Sequence, residues 1–445
     1  MGAFEHAMNL KKTFLISVLG TNDYLACRYY YENASDNITK PVRFIQEAII
    51  DLLDEKEREG LEAYIFLTDE AKTKNWLDNG HGRECEGLKS RLTKKGIKLN
   101  SIDIPIGKSE KEIWEIFQRI IDAIPTSSHL VVDITHSFRS VSMILLAALR
   151  YAKTVKDIHV TAIHYGAMEA AGSFFTLKDM ESEERKVPIF DMTPFDAILD
   201  WSEASSDFLF SGNASKLRTL ADDRIKPILI KSRGKDEQAK IIRKFTKSLD
   251  EFCSHIASNR GPDIKKQAQK VKENLSDAKR TFILEPLIPL FEKVEKEVQG
   301  FKGDSLDIAL QTAKWCLNHN FLPQGYTALQ EGLITWCLER VGHSNVLEIP
   351  KREAVSSAFV IYSQKIPKDE WNENALKHQD IIEQILEIPN IKVLAKSMDK
   401  LSNRRNNINH GGFNQDKITP DTFKRDLDQI IKEISTWKKE YNFEG

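Results

Sequence analysis

The run Asn403-Arg404-Arg405-Asn406-Asn407-Ile408-Asn409-His410-Gly411-Gly412 sets guanidinium and imidazole groups close together at the end of a helical stretch. An imidazole can take the proton of a ribose 2′-hydroxyl or return one to a leaving 5′-oxygen. A guanidinium can stabilise the charge that develops on the phosphorane between those steps. The pair is equipment for cleaving RNA without a metal. Arg405 falls on the apolar stripe of Leu394, Met398, Leu401 and Ile408, where a guanidinium needs a partner or a solvated cleft. Asn406 and His410 are four residues apart and share a helix face. Gly411 and Gly412 stop the helix behind His410, so the same residues also read as a helix C-terminal cap, although the asparagines supply more polarity than a cap needs. Arg405 and His410 point about 140° apart on an ideal helix. Either the last turn is irregular or a second copy closes the gap, and a two-fold dimer would also supply the second His that acid and base catalysis requires.

A second polar cluster, Asp133, Thr135, His136, Ser137 and Arg139, lies between an apolar run at Val131 and Val132 and an apolar helix carrying Ile144, Leu145, Leu146, Ala148 and Leu149. Hydroxyls and free backbone N–H groups at a helix start, with an Arg nearby, form a cradle for phosphate. Thr135 or Ser137 would equally serve as a simple N-cap. Gly20, Thr21 and Asn22 close the first strand, and Gly166, Ala167, Met168 and Glu169 close the fifth. Open α/β sheets bind ligands at such strand ends. Gly-Thr-Asn-Asp is also ordinary turn chemistry, and the dinucleotide fingerprint GxGxxG is absent.

The elements that must hold these residues follow from periodicity. Thr13–Leu19, 61–68, 97–104, the run ending at Asp133 and 158–165 read as strands, alternating with helices near 42–58, 84–95, 113–124 and 139–153. This is a doubly wound, mainly parallel sheet, with 174–177 as a further strand or hairpin. After Pro188 and Pro194 almost every segment has helical period, so the second half is all-α. Segments 304–317, 326–340, 380–386, 391–408 and 421–441 read as helices, 231–279 as a helical hairpin, and Thr419-Pro420 as the N-cap and first residue of the last helix.

The chain has 445 residues, enough for two or three domains, and a formal net charge of -2, so nucleic acid must be met by a local patch rather than a global basic field. Its five cysteines show no CxxC or Cys/His ligand spacing, which argues against a zinc site and for a reducing compartment. No apolar run approaches the roughly 18 residues of a membrane span, and no signal peptide is visible. A soluble, cytoplasmic protein is expected.

With both clusters in view, the chain resembles the CARF-HEPN ribonucleases associated with type III CRISPR systems. The first half carries CARF-like marks, the Gly20-Thr21-Asn22 turn and the Asp133-Ile134-Thr135-His136-Ser137-Phe138-Arg139 turn. The second half carries the HEPN mark of an Arg, four to six residues, and a His. Arg405 to His410 fits with four residues between and an Asn after the Arg. Arg404 fits with five, and the inward stripe and that Asn favour Arg405.

The resemblance implies a Rossmann-like CARF domain over 1–195 and an all-helical HEPN domain over 196–445. It also implies a homodimer, or a higher oligomer built from it. A cyclic oligoadenylate, with cyclic tetra-adenylate expected and hexa-adenylate open, would lie across the two-fold axis. Its phosphates would meet Thr135, His136, Ser137 and Arg139, and its adenines the Gly20–Asn22 loop and the Gly166–Glu169 end. Arg405, Asn406 and His410 would then cut single-stranded RNA, leaving a 2′,3′-cyclic phosphate, with no metal, no cofactor and no membrane partner. The competing class is a ligand-sensing transcription regulator or adaptor without nuclease activity, which asks for a basic recognition helix; 231–247 comes nearest. A Rossmann-type metabolic enzyme is disfavoured by the missing glycine fingerprint.

Overall fold

The computed structural model describes residues 12–34, 36–136, 139–280, 287–413 and 418–444. The chain divides into two compact units, Met1–Ala197 and Ile198–Gly445.

The first unit is built on one seven-stranded sheet. Its strands are β1 (Thr13–Leu19), β2 (Arg28–Tyr31), β3 (Glu62–Leu67), β4 (Lys98–Asp103), β5 (His129–Asp133), β6 (His159–Gly166) and β7 (Lys186–Asp191), in the order β2-β7-β6-β5-β1-β3-β4. The run from β6 through β5, β1 and β3 to β4 is parallel; β7 pairs antiparallel with β6, and β2 runs parallel to β7. All residues of β1 after Thr13 are buried, as a strand covered on both faces requires. Alternation divides its side chains between two cores. Leu15 and Leu19 join Val131, Ile65 and Leu67 on one face, and Phe14, Ile16 and Val18 join Leu130, Val132 and Phe66 on the other. Ser17 falls on the first of these faces, in register with Asp133. After β1 the chain first lays down the edge strand β2, then β3 and β4 on the other side of β1, and then crosses back to β5. The order therefore reverses between β1 and β5, where such sheets open a crevice.

Several expectations for this unit are corrected. Segment 174–177 is not a strand: Phe174–Asp179 is helical, because Ser173 Oγ accepts the Thr176 N–H at 3.1 Å and caps it. Two strands were not among those expected, β2 with its run of three tyrosines and β7. They pair with each other across more than a hundred residues, which no local pattern reveals. The helix expected over 42–58 is two, Ile45–Leu52 and Glu55–Arg58, broken where Leu53 turns extended.

The second unit is helical throughout its described residues. Helices Glu237–Ala257 and Gly261–Arg280 form the expected hairpin, turned by Asn259 in the left-handed region (φ 56°). Ile391–Asn409 packs against Leu322–Arg340, Ile349–Gln364 and Pro420–Glu444. Its stripe of Leu394, Met398 and Leu401 is buried in a core that also contains Leu333, Phe359 and Trp437. Thr419 Oγ1 accepts the Thr422 N–H at 3.3 Å, and Pro420 opens the last helix as expected. Among the described residues no helix is long and apolar enough to cross a membrane.

Candidate functional sites

In the first unit the structure brings three of the sequence-identified strand ends together. Gly20 lies so close to the following β5 turn that a Cβ there would sit 2.9 Å from the His136 carbonyl oxygen and collide with the Tyr24 hydroxyl. Only glycine allows that approach. Thr135 Oγ1 accepts the Gly166 N–H at 2.8 Å, which ties the β5 turn to the end of β6. A Cβ on Gly166 would come within 2.8 Å of Ile45.

Beneath this junction runs a polar row. Ser17, Asp133, His164 and Asp191 are register neighbours across β1, β5, β6 and β7. Asp133 is 1% exposed, so its carboxylate is committed to partners within the fold. Its carboxylate accepts from Ser17 Oγ at 2.6 Å, Gln46 Nε2 at 3.2 Å and the Thr135 N–H at 3.0 Å. Burial raises its pKa against the lowering effect of those bonds. Its role in the fold is to shape the turn from below. His136 stacks on Tyr24 with ring centroids 4.0 Å apart, and burial pushes its pKa down to about 4, so at neutral pH it brings no positive charge to the crevice.

Thr21 is half-buried, Asn22 is exposed, and Met168 packs partly against the core below. Ser137 and Phe138 lie outside the described residues, as does the side chain of Arg139, the first residue of the helix Arg139–Val155.

Three contributors went unseen in the sequence. Asn75, fully buried in a short π-helical segment after β3, donates through Nδ2 to the carbonyls of Gly20 and Asn22, each at 2.9 Å. Its Oδ1 accepts from Arg43 at 3.2 Å, and Arg43 reaches on to Asp23 at 3.2 Å. Tyr31, from β2, places its hydroxyl 3.3 Å from His164 Nε2. The π-helical geometry, common at functional sites, is a backbone feature with no sequence signature here.

His164 has a testable consequence. It is 5% exposed, and burial, opposed in part by Asp191, lowers its pKa to about 4. Above pH about 6.5 the ring is neutral in both folded and unfolded chains. As pH falls from there towards 4, the unfolded chain gains the proton first, so folding loses stability, by about 3 kcal/mol at most for this group. Asp133 works in the opposite direction, so the comparison is made against His164→Gln. Urea unfolding between pH 7 and pH 4.5 will show the wild type losing stability relative to the variant. A constant difference would show that the ring is not held neutral.

In the second unit, Ile391–Asn409 remains α-helical to its end. The His410 N–H donates to the Asn406 carbonyl at 3.0 Å, and Gly411 and Gly412 follow at positive φ. His410 itself is the cap, with φ -81° and ψ 4°, so the helix leaves α geometry at that residue and both ways of closing the offset from Arg405 remain open. Asn406 and His410 are both exposed, on neighbouring positions of one face. Arg405 is half-buried and turned to the helix Leu322–Arg340, where its Nη1 donates to Glu331 Oε1 at 2.8 Å and Gln330 Oε1 at 3.3 Å. Arg404 is bound elsewhere: its Nε donates to Asp426 of the last helix at 2.7 Å, beside the Lys400–Asp426 ion pair. Asp426 is 6% exposed, so Arg404 staples two helices. A cavity of about 560 Å³ lies within this unit, lined in part by Glu331, Thr335 and Arg352.

No protein-family model matches the chain. It is 21% identical over 338 residues to the CRISPR-associated protein MJ1674 of Methanocaldococcus jannaschii, an alignment that covers 75% of this chain and 46% of that protein. The chain thus spans about half the length of the curated relative it matches.

Proposed function

We propose that the chain acts in CRISPR defence as an RNA endonuclease switched on by a cyclic oligoadenylate. The likeness to a CRISPR-associated protein across three quarters of the chain supports the biological setting. The observation that carries the chemistry is the end of the helix Ile391–Asn409, which presents His410 and Asn406 to solvent while Arg405 is anchored beside them on Glu331. One histidine serves one proton transfer. A two-fold partner brings a second, and it also brings an Arg405 to face the first His410 across the offset.

In the reaction one His410 removes the 2′-hydroxyl proton as that oxygen attacks phosphorus. Arg405 stabilises the charge on the non-bridging oxygens, and the other His410 protonates the departing 5′-oxygen. The products are a 2′,3′-cyclic phosphate and a free 5′-hydroxyl. The activator, cyclic tetra-adenylate in this reading, would lie across the two-fold axis on the edge formed by the Gly20–Asn22 loop, the β5 turn and the end of β6. It would favour the dimer arrangement that it binds more tightly.

The test is incubation of the protein with labelled single-stranded RNA in EDTA, with and without cyclic tri-, tetra- and hexa-adenylate. Cleavage that depends on one ring, with cyclic-phosphate ends, is the expected result. Binding of a ring without any cleavage would assign the sensor-adaptor role instead, and failure of both would overturn the proposal.

A further inference from the structure

The Arg405 anchor is itself held from behind. Glu331, whose Oε1 accepts from Arg405, receives Arg352 Nη2 on Oε2 at 2.8 Å, and the same Nη2 donates to the Glu331 backbone carbonyl at 3.0 Å. Arg352 Nη1 donates to Thr335 Oγ1 at 3.0 Å and to the Val346 carbonyl at 2.8 Å. With four such bonds and a side chain 18% exposed, Arg352 is locked in one rotamer and holds both the main chain and the carboxylate of Glu331. Gln330, the other acceptor for Arg405, is tied down through its Nε2 to Ser402 Oγ at 3.0 Å. One carboxylate is thus shared by two guanidiniums, and the group keeps a net positive charge. Among the described residues only Nη1 of Arg405 is bonded, which leaves its Nη2 and Nε for a phosphate.

We propose that Glu331 and Arg352 are positioning residues for Arg405: Arg352 locks Glu331, and Glu331 fixes the direction of the Arg405 guanidinium before RNA arrives. The inference rests on the reading of Arg405 and His410 as a ribonuclease site. A free arginine side chain samples many rotamers, and removing that freedom beforehand is what preorganised charge stabilisation requires. Neither residue touches the reacting atoms, so the effect belongs in kcat rather than in RNA affinity.

The experiment measures activated RNA cleavage by the full chain carrying Glu331→Ala, Glu331→Gln, Arg352→Lys, Arg405→Ala, and Glu331→Ala with Arg405→Ala. Arg405→Ala is expected to lower kcat by about 100-fold or more. Glu331→Ala should lower it about tenfold with KM for RNA nearly unchanged, and Glu331→Gln, which keeps an acceptor oxygen, should recover most of that loss. The decisive comparison is the double variant, expected to match Arg405→Ala alone because Glu331 acts only through that side chain. A double variant that is a further tenfold slower, or a Glu331→Ala enzyme with wild-type kcat, would overturn the proposal. Where Glu331→Ala does not fold, Arg352→Lys, which keeps the charge and loses the fork, carries the same test: a severalfold fall in kcat supports it and an unchanged kcat sinks it. A wild type that cuts no RNA with any ring fails the ribonuclease reading itself. A wild type that cuts alongside indifferent Glu331 and Arg352 variants fails only this one.

Discussion

Replacing His410 by alanine will lower activated RNA cleavage by about 10²- to 10⁴-fold, the usual share of a positioned acid or base, and will leave folding and activator binding intact. The fold tolerates the change because His410 contributes to the helix end through its backbone: its N–H bonds the Asn406 carbonyl and its carbonyl accepts the Phe413 N–H at 3.0 Å. The ring is exposed, and surface substitutions of this kind alter stability by about 0.5 kcal/mol or less. Cleavage kinetics, thermal unfolding and titration with the activating ring form one measurement set. Loss of cleavage with the other two unchanged is the signature of a group that acts on the substrate. Cleavage that persists in the variant would place the active site elsewhere.

Asn75→Ala tests the other site. The change removes two hydrogen bonds to the Gly20 and Asn22 carbonyls and takes an acceptor from Arg43, which is 6% exposed. Unsatisfied buried groups cost about 1–3 kcal/mol each; Gly20 and Asn22 lie partly open to solvent, so the lower end applies to the three lost bonds and a total of about 3 kcal/mol is expected. For a unit of this size that lowers its thermal transition by about 6–12 °C. The released Gly20–Asn22 loop is also the one proposed to meet the activator, and its reordering on binding should weaken affinity by tenfold or more. Asn75→Asp retains the acceptor for Arg43 and loses both donors, which separates the two contributions. A variant that melts early but binds the ring with wild-type affinity would detach this loop from the ligand.

Much of the architecture is legible in local pattern because burial on one face imposes a period. The largely apolar run Thr13–Leu19 before Gly20, the runs before Asp133 and Gly166, and the charged amphipathic stretches of the second half each report whether an element is covered on two sides or on one. That suffices for a largely parallel sheet with polar turns at its C-terminal edge, followed by helices, and for noticing that Arg405 occupies an inward position that needs an explanation.

What a period cannot report is the identity of the covering partner, because that partner is brought in from far along the chain. Tyr29–Tyr31 form a strand only because Val187–Ile189 lie beside them. Asp133 was recognisable as a polar residue at a strand end, but only the packing of Ser17 and Gln46 around it shows that it braces the turn from inside. Asn75 sits in an unremarkable charged stretch, and its reach to the Gly20 loop follows from the turn after β3. The explanation that Arg405 demanded came from Glu331 and Arg352 on two other helices. The residue types capable of chemistry, and the faces they occupy, were determined by the sequence alone. Which of them are spent on holding the fold was decided by tertiary packing, since a hydrogen bond or ion pair commits a side chain only once its partner has been carried within reach.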